Sequence, residues 1–207
     1  MSLLLLSAVL ALPSTATSAN FYLDASDGHP GFHSTAAERR DRLEVHLSAV
    51  DAGDILVVGE AAGWRGARQS GVAFTSPVTV GLRGTREPSA TTIHRALTAH
   101  RLEQRTLLWN AFPLHPHKLG EPETNRTPSS SELTMGERVL REAVVGRRVI
   151  CVGGKAAVSV ERVLGTSVRT VWTMNAHSRA VSLRHPSFGG TTEFRQGFDE
   201  AVDRWKL

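Results

Sequence analysis

Ile55-Leu-Val-Val-Gly-Glu-Ala-Ala-Gly-Trp-Arg-Gly-Ala-Arg-Gln-Ser-Gly-Val-Ala-Phe-Thr-Ser76 is the stretch whose reading decides the fold. Ile55 to Val58 are four apolar, mostly β-branched residues and read as a buried strand. The chain then enters a loop with glycines at 59, 63, 66 and 71. Glycine lets a backbone approach a ligand closely and adopt positive φ. A loop of this kind at the carboxyl end of a parallel strand is where open α/β sheets bind ligands. It carries Glu60, Arg65, Arg68 and Phe74. Its spacing fits neither a Walker loop nor a dinucleotide fingerprint.

Outward from this stretch, strands and helices alternate. Before it, Leu3 to Leu12 reads as a buried first helix ended by Pro13. The run imitates a secretory signal, but the first Lys or Arg of the chain is Arg39, so export is the lesser reading. The run is also too short to span a bilayer. Thr35-x-x-Glu38 is a capping box, and Leu43, Leu47 and Val50 continue at helical spacing. After the loop, Ser89 to Gln104 reads as a helix and Thr106 to Trp109 as a second strand, directly followed by Asn110. Ser129-x-x-Glu132 caps the next helix. Val149 to Val152 is a third strand, ending in Gly153-Gly-Lys155 and feeding a helix over Ala156 to Leu164. A weaker strand signal lies near Val168 to Thr173. Ala180 to Leu183 runs into Arg184-His-Pro-Ser-Phe-Gly-Gly190, and Phe194, Phe198, Val202 and Trp205 share one face of the last helix.

This alternation predicts one α/β domain with a parallel sheet, helices on both faces and right-handed crossovers. Four loops at strand carboxyl ends would gather on one edge, bringing Glu60 and Phe74, Asn110, Gly153 to Lys155, and His185 together. Each residue type has a chemistry there. Asn110 offers both a donor and an acceptor, as needed to read an amide edge such as a pyrimidine's, although turn asparagines are commoner. His185 can donate to a developing anion or be a satisfied structural histidine. Phe74 can stack on a flat ring or serve the core. Lys155 at a helix start suits a phosphate or plain solvent.

Composition narrows the classes. The 207 residues carry 24 Lys and Arg against 20 Asp and Glu, a net charge of +4, with a pI of about 10.0. That balance suits an anionic partner such as nucleic acid. Cys151 is the one cysteine, within an apolar run, which excludes a disulfide framework and a cysteine-ligated cluster. The nine histidines include no HExxH pattern, and no metal is expected.

Gly59-Glu-Ala-Ala-Gly63, Gly71-Val-Ala-Phe-Thr-Ser76, Trp109-Asn-Ala-Phe-Pro113, Asn125-Arg-Thr-Pro128 and His185-Pro-Ser187 resemble, in order and spacing, the motifs of the uracil-DNA glycosylase superfamily. The first block is similar to the Gly-Glu-Ala-Pro-Gly signature of its thermostable class. The resemblance covers about Ile55 to Trp205. It implies a three-layer α/β/α sandwich around a four-stranded parallel sheet, and a monomer that flips a damaged base and hydrolyses its N-glycosidic bond. A soluble, cytoplasmic, nucleoid-associated protein would follow, with DNA as partner and no cofactor.

Carried over by position, Gly59, Ala61, Gly63, Phe74, Asn110 and His185 would form the base pocket. Phe74 would stack, Asn110 would read the pyrimidine edge, and His185 would bond the departing base's carbonyl. Glu60 would position water or hold the sugar cation, or else hold the loop by bonding its amides. Ser76, Lys155 and Ser187 would contact DNA, with Phe188 as the wedge. Arg65, Arg68 and Arg126 would meet phosphates or stabilise loops. Four departures from the family pattern are visible. The four cluster-binding cysteines are missing. Ala61 replaces the water-activating aspartate or asparagine, and Ala62 the family proline. Gly63 stands where a tyrosine would reject thymine, which opens substrate choice beyond uracil. A catalytically weak damaged-DNA-binding protein is the alternative, with a small-molecule hydrolase or nucleotide-binding protein as a further rival.

Overall fold

A computed structural model of the chain describes residues 2–27, 31–187 and 189–207. In chain order the elements are α1 (Ser2–Leu10), β1 (Ser18–Ala19), α2 (Ala36–Ala49), β2 (Ile55–Ala61), α3 (Ala67–Ser70), α4 (Pro88–Ala99), β3 (Thr106–Phe112), β4 (His115–Pro116), α5 (Ser130–Ala143), β5 (Arg148–Val152), α6 (Gly154–Leu164), β6 (Arg169–Thr170), β7 (Ala180–Leu183) and α7 (Thr191–Trp205).

Among the described residues the central sheet has five strands in the order β3-β2-β5-β7-β6, and every pairing is parallel. This corrects the expected four. The fifth, β6, is two exposed residues at the sheet edge, Arg169 and Thr170, paired with Val181 and Ser182. It falls within the weaker strand signal near Val168 to Thr173, since an edge pair with neither face buried carries little hydrophobic alternation. A two-stranded antiparallel ribbon, β1 with β4, lies apart from this sheet.

Side-chain alternation along the strands builds the three layers. Leu56 and Val58 of β2 enter a cluster with Leu5, Leu43, Leu140 and Val160, from α1, α2, α5 and α6. Ile55 and Val57 enter the opposite cluster with Ile93 and Leu97 of α4 and the Phe194, Phe198 and Trp205 face of α7. Both predicted capping boxes form. Thr35 and Ser129 each accept from the amide three residues on, and Glu38 and Glu132 return the bond. The helix read over Ser89 to Gln104 stops at Ala99, and a 3-10 turn over Glu103–Arg105 leads into β3.

Strand order changes direction beside β2. The chain goes from β2 to β3 on one side, then to β5 on the other. In open sheets this switch point opens a crevice at the carboxyl ends of the strands. Among the described residues, no helix is long and apolar enough to cross a membrane.

Candidate functional site

Two strands run further than their apolar cores. β2 continues through Gly59 and Glu60 to Ala61, and β3 through Asn110 to Phe112, with Gly59 opposite Asn110 and Ala61 opposite Phe112. Asn110 is therefore a strand residue rather than the first of a loop. Ladder pairing outweighs the poor strand preference of Gly and Asn here. Gly59 has a steric reason. A Cβ on it would lie 2.6 Å from Asn110 Oδ1 and 2.7 Å from Phe74 Cζ, so its missing side chain leaves the slot between amide and ring.

Phe74 sits in the left-handed region at φ 54°. That conformation is uncommon for a bulky residue and stores strain of the kind found at ligand clamps. A ring nitrogen of His94 lies 2.9 Å from the Phe74 carbonyl oxygen and holds it. The ring, the Asn110 amide, Gly59, Ala61, Gly63, Glu60 and His185 all line one pocket of ≈ 70 Å³. Every residue assigned above to substrate or catalysis is thus brought to a single cavity. Ala67, Glu87 and Ser89 complete its wall. Glu60 is half-exposed there and makes no hydrogen bond with another described residue, so no loop amide engages its carboxylate.

His185 follows β7 and is half-buried. The Ser187 backbone N–H donates to its Nδ1 at 3.2 Å, and Ser187 Oγ lies 2.8 Å from the same atom. A backbone amide can only donate, so Nδ1 accepts and the imidazole proton resides on Nε2. Burial holds the ring's pKa below its ordinary value and keeps it neutral.

Glu87 was not read from the sequence. It precedes Pro88 at the N-cap of α4, yet its side chain makes no cap bond. Its Oε1 instead accepts from Ser89 Oγ at 2.9 Å, and Oε2 packs against Gly66, where an added Cβ would lie 2.1 Å away. Burial raises its pKa, and the Ser89 bond offsets this in part. Glu before Pro is an ordinary helix-start signal, and nothing in sequence separates a capping carboxylate from one turned into a pocket.

The DNA-facing expectations divide. Lys155 and Arg65 are exposed and Ser187 is half-exposed, with Arg65 stacked on Trp64 at 4.5 Å. Phe188 lies outside the described residues. The assignments of Ser76 and Arg68 are corrected, and for Arg126 the loop-stabilising reading is the one that the structure supports. Ser76 is 1% exposed, enclosed where the 3-10 turn Pro77–Val80 begins. Arg126 is held by Glu132 in a fork of 2.6 and 2.7 Å and by the Thr17 and His117 carbonyls, so it braces loops. Arg68 is 1% exposed and inside the protein. His185, Ser187 and Gly153 also border an open cleft of ≈ 560 Å³ that carries Trp172 and Arg184.

Among the described residues no cluster of three or more His, Cys, Asp or Glu is placed to hold a metal. The lone thiol of Cys151, fully buried within β5 with its pKa pushed up, does not fit the iron–sulfur ligation of the thermostable class.

No family model matches the sequence, and no curated protein matches it. The structure is similar to the crystal structure of SMUG2 from Pedobacter heparinus, with a TM-score of 0.66 at 15% identity, over 99% of this chain and 96% of that one. The α/β fold with its parallel sheet, built from the strand pairing and layer packing described, is the fold that this chain shares with it.

Proposed function

We propose that the protein is a monofunctional DNA glycosylase that flips uracil or a related base into the pocket between Phe74 and Asn110 and hydrolyses its N-glycosidic bond. The observation that carries this reading is the convergence of Phe74, Asn110 and His185, from three separate loops and strands, on one cavity that Gly59 leaves open. A flat heterocycle would stack on Phe74. Asn110 would pair with its amide edge, using one donor and one acceptor.

In the reaction the C1′–N bond breaks with its electron pair leaving on the base. Water oxygen bonds to C1′, and one water proton ends on the base. The Nε2–H of neutral His185 donates to the base oxygen as negative charge develops. A preorganised donor of this kind contributes about 3–4 kcal/mol to the transition state. Ala61 supplies no polar group for the water, so Glu60 is assigned to orient it. Glu87, kept towards its neutral form by burial, can donate to a base carbonyl from the remaining wall. Lys155, Arg65 and the cleft beyond Ser187 would carry the strand.

The test is single-turnover cleavage of oligonucleotides with uracil opposite guanine, uracil opposite adenine, and single-stranded uracil, extended to hypoxanthine and thymine mismatches. An abasic product from at least one supports the reading. Folded protein in excess that yields no product on any of them ends it. Tight, salt-sensitive binding to the same duplexes without cleavage would point to the non-catalytic alternative that Ala61 leaves open.

A further inference from the structure

Arg68, one residue beyond the pocket-lining Ala67 on α3, faces a different space. It is 1% exposed, and its Nε and Nη1 have no hydrogen-bond partner. Its guanidinium carbon stacks 4.0 Å from the Phe32 ring centroid. Arg39 lies 4.0 Å from the same ring, but it is fully engaged. Its Nε donates to the Phe21 carbonyl, Nη1 to the Ser34 carbonyl, and Nη2 to Ser26 Oγ and to Asp27 at 2.8 Å. Arg68 has no such carboxylate within ion-pair distance among the described residues. Burial accordingly pulls its pKa down to about 10, and the nearby Glu123 charge opposes this only in part. A buried cation without an acceptor is costly, and structures keep one where something outside the chain supplies the acceptor.

Arg68 and Phe32 line a cavity of ≈ 500 Å³ that shares no residue with the nucleobase pocket. Ser14 and Thr15 add hydroxyls to its wall, and Leu23 and Ala25 add apolar surface. Arg68 is the one Lys or Arg among the described residues that line it. A single guanidinium neutralises one negative charge, and its planar fork matches a carboxylate. Apolar and aromatic walls around one such group describe a small-molecule site.

We propose that this cavity binds a small organic monocarboxylate, whose carboxylate accepts from the Arg68 guanidinium and whose apolar or aromatic body lies against Phe32, Leu23 and Ala25. The site is independent of the glycosylase reading, and its test uses no DNA.

The experiment is thermal unfolding of the full chain, with calorimetric titration, against benzoate, neutral benzamide and inorganic phosphate. Benzoate is expected to raise Tm by about 4–8 °C near saturation, with benzamide and phosphate giving little shift. Arg68→Met, which replaces an unpaired buried charge by an apolar chain of similar length, is expected to match or exceed the wild-type Tm and to lose the benzoate response. Ala25→Trp, which fills the mouth from an exposed position, is expected to fold normally and also lose it. No shift with benzoate overturns the proposal. So does an equal shift with benzamide, a larger one with phosphate, or a benzoate response that survives in both variants.

Discussion

At residue 185 the division of labour between ring and backbone sets a graded expectation. The Ser187 amide fixes the tautomer, and the Ser187 hydroxyl adds to it. His185→Ala should lower the single-turnover cleavage rate by about 10²–10³-fold, the effect of removing one preorganised donor. Ser187→Ala keeps the backbone N–H and should cost less than about 10-fold, since a neutral hydrogen bond is worth about 1 kcal/mol. Equal losses in the two variants would show that the hydroxyl, not the amide, sets the ring. Glu87 gives a second residue-scale expectation. Its folded pKa lies above its unfolded value, so its ionised form is disfavoured by folding. Stability is then lost as pH rises from the ordinary carboxylate range through the folded value. Glu87→Gln should raise Tm relative to wild type at pH 7.5 and leave it nearly unchanged at pH 4. Identical differences at both pH values would mean that the carboxylate is fully solvated.

At the scale of elements, the site depends on the register of β2 against β3. Pairing Gly59 with Asn110 puts the residue without a side chain beside the one proposed to read the base edge, under the ring of Phe74. Gly59→Ala should place a methyl in that slot. The expected outcome is at least a 100-fold loss of cleavage, the scale of a 1 Å misplacement, with a stability cost of about 1–3 kcal/mol for overpacking. Retained near-ultraviolet circular dichroism with lost cleavage would meet this expectation, and full activity would contradict the placement of the slot. β3 is also an edge strand, and His46 of α2 covers part of it by accepting the Leu108 N–H at Nε2, 3.1 Å away. Covering an edge in this way removes a template for unwanted pairing.

For the whole molecule, this cover couples the fold to acid. Burial depresses His46 to about 4. Its Nε2 accepts the Leu108 N–H, so the ring is neutral in the fold and would charge more readily when unfolded. Its contribution is fully present above about pH 6.5 and is lost as pH falls through about 4. It amounts to about 3 kcal/mol at most. Tm should therefore drop across that window, and His46→Gln should flatten the drop. A wild-type Tm constant from pH 7 to 4.5 would count against this burial.

Much of this molecule was legible in its linear order. The two capping boxes, the β-branched cores of β2 and β5 and the apolar face of α7 are local patterns, set by periods of two and 3.6 residues. Motif spacing then brought Phe74, Asn110 and His185 to one edge, because parallel strands deliver their carboxyl-end loops to the same side. The tertiary structure alone decided the rest. It turned Glu87 from a helix cap into a pocket wall, enclosed Ser76 and Arg68, and locked Arg126 onto Glu132. Burial and ion pairing are properties of packed surfaces. A side chain's charge is written in sequence, whereas the dielectric and the partner it meets come from residues tens of positions away.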